Sequence, residues 1–123
     1  MAQPGASAFF VGGAVVYTLE SRRKLLGIPD ETVKGVRGST EAYALLAARA
    51  VRERLQTSWS LAESGASGPS GNRYGDPPGH ACVAVSGAAE RALTIETGRA
   101  DRVENMGVFA ERALRLLAEM IGA

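Results

Sequence analysis

Trp59-Ser-Leu-Ala-Glu63 opens into Ser64-Gly-Ala-Ser-Gly-Pro-Ser-Gly-Asn-Arg-Tyr-Gly-Asp-Pro-Pro-Gly79, and apolar alternation resumes at His80-Ala-Cys-Val-Ala-Val85. Two strand-like runs thus flank a long Gly/Ser/Pro segment with almost no apolar side chain. Such a segment is long for a loop of a compact domain, and long loops are usually functional. Downstream, a tight turn near Gly87 and a third run over Arg91 to Thr97 predict a hairpin. Asp101 then caps a long helix, with Glu104 completing a capping-box-like pair. Val103, Met106, Ala110, Leu114, Leu117 and Ile121 fall at spacings of three and four and are read as its buried face. Upstream, Ser39 is placed to cap a helix running to about Gln56, with Glu41 in its first turn. Its apolar stripe is Ala44, Ala47, Ala48, Val51 and Leu55. Leu19 to Leu26 reads as a short helix stopped by Gly27 and Pro29, and Thr32 to Val36 as one further turn. Phe9 to Thr18 is apolar, aromatic and β-branched, so a buried strand is expected there, broken at Gly12-Gly13. The order β-α-α-β-loop-β-β-α predicts an α/β fold with a mixed sheet.

The 123 residues suffice for one domain, residues 1–123, and leave no room for two independent cores. Hydrophobic residues make up 46% and charged residues 22%, a globular balance that excludes a disordered tail. A net charge of +1 provides no field for gathering nucleic acid or an anionic membrane, so neither partner is expected. The basic side chains are arginines except for Lys24 and Lys34. One cysteine, Cys82, in an apolar run suits a reducing compartment, and the start lacks the basic region of a signal peptide. A cytoplasmic location is therefore expected. One Cys and one His at no ligand spacing imply no metal, and no cofactor is called for.

Chemistry concentrates at the loop. A strand opening into Ser64-Gly65-Ala66-Ser67-Gly68 can expose several backbone N–H groups as a nest for a phosphate, carboxylate or oxyanion. The same composition also fits an ordinary surface loop. No Gly-Lys-Ser/Thr follows, so it is not a P-loop, and the glycine spacing is wrong for a nucleophile elbow. His80 is the only histidine, so any Ser-His-Asp triad would have to run through it. Tyr17 ends the first run and faces the helix carrying Arg22, Arg23 and Lys24, which is either a solvated basic face or a counter-charge for an anion.

Taken together, several segments resemble the C-terminal domain of the CinA (competence/damage-inducible protein) family. They are Pro4-Gly-Ala-Ser-Ala-Phe-Phe-Val-Gly-Gly-Ala-Val-Val-Tyr17-Thr18, Lys24-Leu-Leu-Gly-Ile-Pro29, Gly38-Ser-Thr-Glu41, Ser64-Gly-Ala-Ser-Gly-Pro69, Gly79, and Thr97-Gly98 before a long helix. The resemblance implies a three-layer α/β/α-type sandwich. It also implies kinship with nicotinamide-nucleotide amidases, which hydrolyse the carboxamide of nicotinamide mononucleotide with a serine, a lysine and an assisting tyrosine. Tyr17 matches that tyrosine. The lysine position is Arg22, and arginine keeps its proton and cannot act as the base. The family serine lies in an Ala-Glu-Ser-x-x-Gly-Gly motif upstream of the Pro4 match. The family's first strand and helix are accordingly expected to be lacking, a shortfall of about 30 to 40 residues. Ala62-Glu63-Ser64 echoes that motif but aligns with the later Ser-Gly loop, which makes Ser64 a second-best nucleophile.

The resemblance therefore implies a ligand site at Tyr17, Thr18, Arg22, Gly65, Ala66, Ser67 and Gly68. It would take a nicotinamide-type nucleotide or another small anion without efficient hydrolysis. The alternatives are an active amidohydrolase with a different or partner-supplied nucleophile, and a non-catalytic interaction protein. Exposed edge or apolar surface would favour a homo-oligomer.

Overall fold

The computed structural model describes residues 1–122. At its centre is a three-stranded sheet in the order β1-β2-β3, with β1 Ser60–Ala66, β2 His80–Ser86 and β3 Glu90–Glu96. Both pairings are antiparallel, Ser64 opposite Cys82 and Cys82 opposite Thr94, so the sheet among the described residues is not mixed. Every residue of β2 is buried, because helices cover both faces of the sheet. Side chains alternate across a strand. Ala81, Val83 and Val85 therefore meet one helix, and Cys82 and Ala84 meet the other.

The second of these faces carries α2, Glu41–Leu55, whose Ala44 and Ala48 lie flat against Cys82 and Ala84. Four small residues in contact let the helix approach the sheet closely. Arg49 crosses from α2 to Glu90 beside the β2–β3 turn and holds that carboxyl down to about 2. The other face carries α3, Arg102–Ile121, capped by Asp101, whose Oδ1 accepts from Glu104 N–H at 2.9 Å. The Glu104 carboxylate does not return to the cap; it approaches Arg99 at 3.7 Å. The result is helix, sheet and helix, the three-layer arrangement the resemblance implied.

Three local expectations are corrected. Phe9 to Thr18 forms no strand. After a 3-10 turn at Ala6–Ala8 the chain is irregular to Tyr17, and Phe9, Val11, Val15 and Tyr17 are exposed. The residue types suit a strand, but no neighbouring strand offers them a ladder. The cap of α2 is Thr40, whose hydroxyl accepts from Tyr43 N–H, and not Ser39. Finally, α3 buries Asn105, Phe109, Ala113 and Leu116, while Val103, Met106, Leu114 and Ile121 face outward. The helix carries two apolar stripes, and the sheet takes the one with Phe109. The short helix α1, Leu19–Ser21, is capped by Thr18 and widens into a π-helical stretch, Arg22–Leu26, that ends at left-handed Gly27 as predicted.

Candidate functional site

β1 runs through Ala66, so Ser64, Gly65 and Ala66 are strand residues and the loop proper begins at Ser67. Gly65 is required where it stands: a Cβ there would lie 2.5 Å from both Ala81 Cβ and the His80 carbonyl. Beyond the strand, buried Asn105 on α3 organises the turn. Its Nδ2 donates to Ser67 O at 2.7 Å and to Arg99 O at 2.9 Å, and its Oδ1 accepts from Thr97 Oγ1 at 2.6 Å. A buried amide satisfied on both sides fixes its neighbours firmly. Gly68, at φ +116°, packs so close to Ala100 O that any side chain would clash.

Arg102, the first residue of α3, closes the arrangement. Its Nη1 donates to Gly68 O at 2.7 Å and its Nη2 to Tyr17 Oη at 2.8 Å. Tyr17 is 79% exposed, so this bond is its anchor to the body of the domain. One guanidinium thus brings the end of the Phe9–Tyr17 run to the Ser67–Gly68 turn. Arg102 did not stand out in the sequence, where it is one arginine among many. The only cue was its position directly after the Asp101 cap, and that cue is weak.

The other predicted residues lie elsewhere. Arg22 is 4% exposed and, with Arg23, pairs with Asp30. The Arg23 hydrogen bond, reinforced by the Arg22 charge, holds the Asp30 carboxyl below its ordinary range. The Arg22 charge is therefore already matched within the chain, and its Nε is buried without a partner. Thr18 spends its hydroxyl on the α1 cap. Lys24 forms an exposed pair with Glu20.

Ser64 points to the α2 side of the sheet, where its Oγ accepts from Ser39 N–H at 3.0 Å. Ser39 is buried at φ +57°, a conformation that non-glycine residues adopt rarely and at a cost. It is held from its other side by His80, whose Nε2 meets Ser39 O at 2.8 Å while Nδ1 bonds the Glu96 carboxylate. Two acceptors require two ring N–H donors, so His80 is doubly protonated here. Burial opposes that charge, but Glu96, the Ser39 carbonyl and nearby Asp76 outweigh it and raise the pKa. The stabilisation is fully present below the ordinary value of 6.5 and is lost as pH rises through the higher folded value. We therefore expect wild type to lose stability as pH rises above 6.5 in denaturation experiments, and His80→Gln to show a flatter profile. Equal slopes would refute the charged assignment.

No group of three His, Cys, Asp or Glu side chains suited to a metal occurs among the described residues. Open grooves among the described residues include one of about 450 Å³ beside Ile28 and Arg54 and one of about 380 Å³ beside Leu93 and Arg115. Neither reaches the Tyr17–Arg102–Gly68 cluster, which is a surface arrangement at the end of the sheet.

Fold and site together define a three-layer α/β domain with a tyrosine and an arginine gathered at a glycine turn. The CinA C-terminal domain model matches residues 1–121, and the chain belongs to that family. It is 30% identical over 128 residues to a CinA-like protein of Chlorobium limicola, covering 97% of this chain and 30% of that protein. A CinA-like protein of Synechococcus sp. is 31% identical, with 96% of this chain and 30% of that one covered. The chain thus spans less than a third of these curated relatives. Among solved structures, the competence damage-inducible protein A of Klebsiella pneumoniae superposes with a TM-score of 0.89 at 23% identity, covering 98% of this chain and 75% of that chain. The CinA superfamily protein of Escherichia coli gives 0.88 at 22%, covering 97% and 69%. At these identities the structural likeness speaks for the fold. No helix among the described residues is long and apolar enough to cross a membrane.

Proposed function

We propose that this domain binds a nicotinamide-type nucleotide or a closely similar small anion at Tyr17, Arg102 and the Ser67–Gly68 turn, and that it does not hydrolyse it efficiently. The observation that carries the reading is the Arg102 guanidinium, held between Tyr17 Oη and Gly68 O at the start of α3. Its remaining N–H donors and the helix N-terminus favour a phosphate, and the tyrosine ring offers a face for a flat heterocycle. Arg102 suits the anion-pairing role better than Arg22, whose charge Asp30 already meets. Poor turnover follows from the nucleophile side. Ser64 Oγ is bonded to Ser39 N–H, and among the described residues no lysine or Tyr17 bond activates it.

Calorimetry with nicotinamide mononucleotide tests the binding. Wild type should give saturable heat, and Arg102→Ala should weaken affinity by about tenfold or more, the worth of one charge-assisted contact. Tyr17→Phe, which keeps the ring and drops the Arg102 bond, should lose less. No heat with wild type, or equal affinity in Arg102→Ala, would overturn the assignment.

A further inference from the structure

His80 begins β2 and stands directly opposite Glu96, the last residue of β3. It is buried on the α2 face of the sheet, against the Ser39 carbonyl. Beyond Glu96 the chain enters the segment that builds the Tyr17–Arg102–Gly68 cluster. Thr97 N–H donates to Gly79 O at 3.1 Å, and Thr97 Oγ1 accepts from Arg99 N–H at 3.1 Å while bonding Asn105. Ala100 O packs on Gly68, Asp101 caps α3, and Arg102 follows. Gly79 ties the same stretch to β1, since its N–H donates to Ala66 O at 2.8 Å. A continuous set of contacts therefore runs from the His80 ring through Glu96 and Thr97 to Arg102.

Charged and titratable groups approach His80 from each element around it. The loop supplies Asp76, whose Oδ2 lies 3.7 Å from Nε2 and is itself paired with Arg37. From α2 comes Glu41, turned to Thr94 Oγ1, and from β2 the Cys82 thiol, kept protonated by burial. α3 covers the other face of the sheet. Glu96 from β3 and the Ser39 carbonyl bond the two ring nitrogens directly. A neutral imidazole has a single N–H and cannot serve both. Ser39 is buried, so stranding its carbonyl is costly, whereas the Glu96 side chain is 53% exposed and can turn to water. Neutral His80 therefore keeps Nε2–H on Ser39 and turns a bare Nδ1 lone pair toward the Glu96 carboxylate, which repels it.

We propose that His80 is a proton switch on the Tyr17–Arg102–Gly68 site. With both ring nitrogens protonated it holds the end of β3 through Glu96 and so orders Thr97–Arg102. When the Nδ1 proton passes to water, Glu96 swings out and the segment bearing Arg102 loosens. As a control of binding, the switch rests on the ligand role given to that cluster above; the movement of the segment does not. An anion held by Arg102 favours the ordered segment and hence protonated His80, because coupling between two sites is reciprocal.

The test follows the His80 ring and the backbone amides of Thr97, Arg99 and Arg102 by NMR as pH rises above 6.5. In wild type the three amides should titrate with the ring. In Glu96→Gln the side-chain amide can accept from Nδ1–H or donate to the bare nitrogen, so it bonds both ring forms. There the ring should still titrate, at lower pH than in wild type, while the amides stay fixed. Nicotinamide mononucleotide should bind wild type about fivefold more weakly once the ring is neutral, and should raise the pH at which the ring titrates. Glu96→Gln measured alongside cancels the ionisation of the phosphate itself, whose second pKa is about 6. Amides that ignore the ring in wild type, or follow it equally in Glu96→Gln, would overturn the switch. Equal nucleotide affinity in both ring forms would overturn its role at the site. The amide titration contains no nucleotide, so an absence of binding at every pH would count against the site itself, and the amides would still decide whether His80 moves the segment.

Discussion

Phe109→Ala should cost about 3–5 kcal/mol in chemical denaturation, while Leu114→Ala on the same helix should cost about 0.5 kcal/mol or less. Phe109 is 1% exposed and packs among Ala81, Val83, Val85, Ile95, Ala113 and Leu116. Removing its ring leaves a cavity that the sheet cannot close, because β2 is held by ladders on both sides and by α2 behind it. Leu114 stands on the outward stripe and loses little water-excluded area when truncated. Against a total stability of about 5–15 kcal/mol, the first variant should be near its unfolding limit at physiological temperature and the second close to wild type. The reverse order would mean that the sheet takes the other stripe of α3.

The second large effect is expected at Asn105. Asn105→Leu keeps the volume but strands the carbonyls of Ser67 and Arg99 and the Thr97 hydroxyl, all served by one amide. Unpaired buried polar groups cost about 1–3 kcal/mol each, so a loss of about 2–4 kcal/mol is expected once partial hydration is allowed for. Asn105→Asp should be no better, since it removes both donors and brings a carboxylate against two carbonyl oxygens. Because Ser67 and Arg99 flank the Arg102 contact, nucleotide affinity should fall in both variants. Full stability in Asn105→Leu by denaturant titration would show that the turn is held by other means.

These two residues also mark where sequence reasoning succeeds and where it stops. The hairpin of β2 and β3 was legible from alternation and Gly87, and the long helix from Asp101 and its periodicity. Which of its stripes is buried was not, since Val103–Ile121 and Asn105–Leu116 are both helical repeats and only the sheet chooses between them. Asn105 interrupts the buried stripe with a polar group, so hydropathy alone passes it over. Phe9–Thr18 has strand residues but no partner, and pairing is a property of two segments. Tyr17 and the Ser67–Gly68 turn were found through motif spacing, but the arginine that joins them lies 85 residues from Tyr17 in sequence. Ser64 carried the right residue type, yet its hydroxyl serves Ser39, whose left-handed backbone no sequence pattern announced.

Proton NMR of nicotinamide mononucleotide incubated with the protein tests the central claim, binding without turnover, in one sample. Saturation transfer should reach the nicotinamide ring protons in wild type and fade in Arg102→Ala, while the ring resonances stay those of the amide over many hours. Steady conversion to the resonances of the acid, at a rate proportional to protein and abolished by Ser64→Ala, would contradict it.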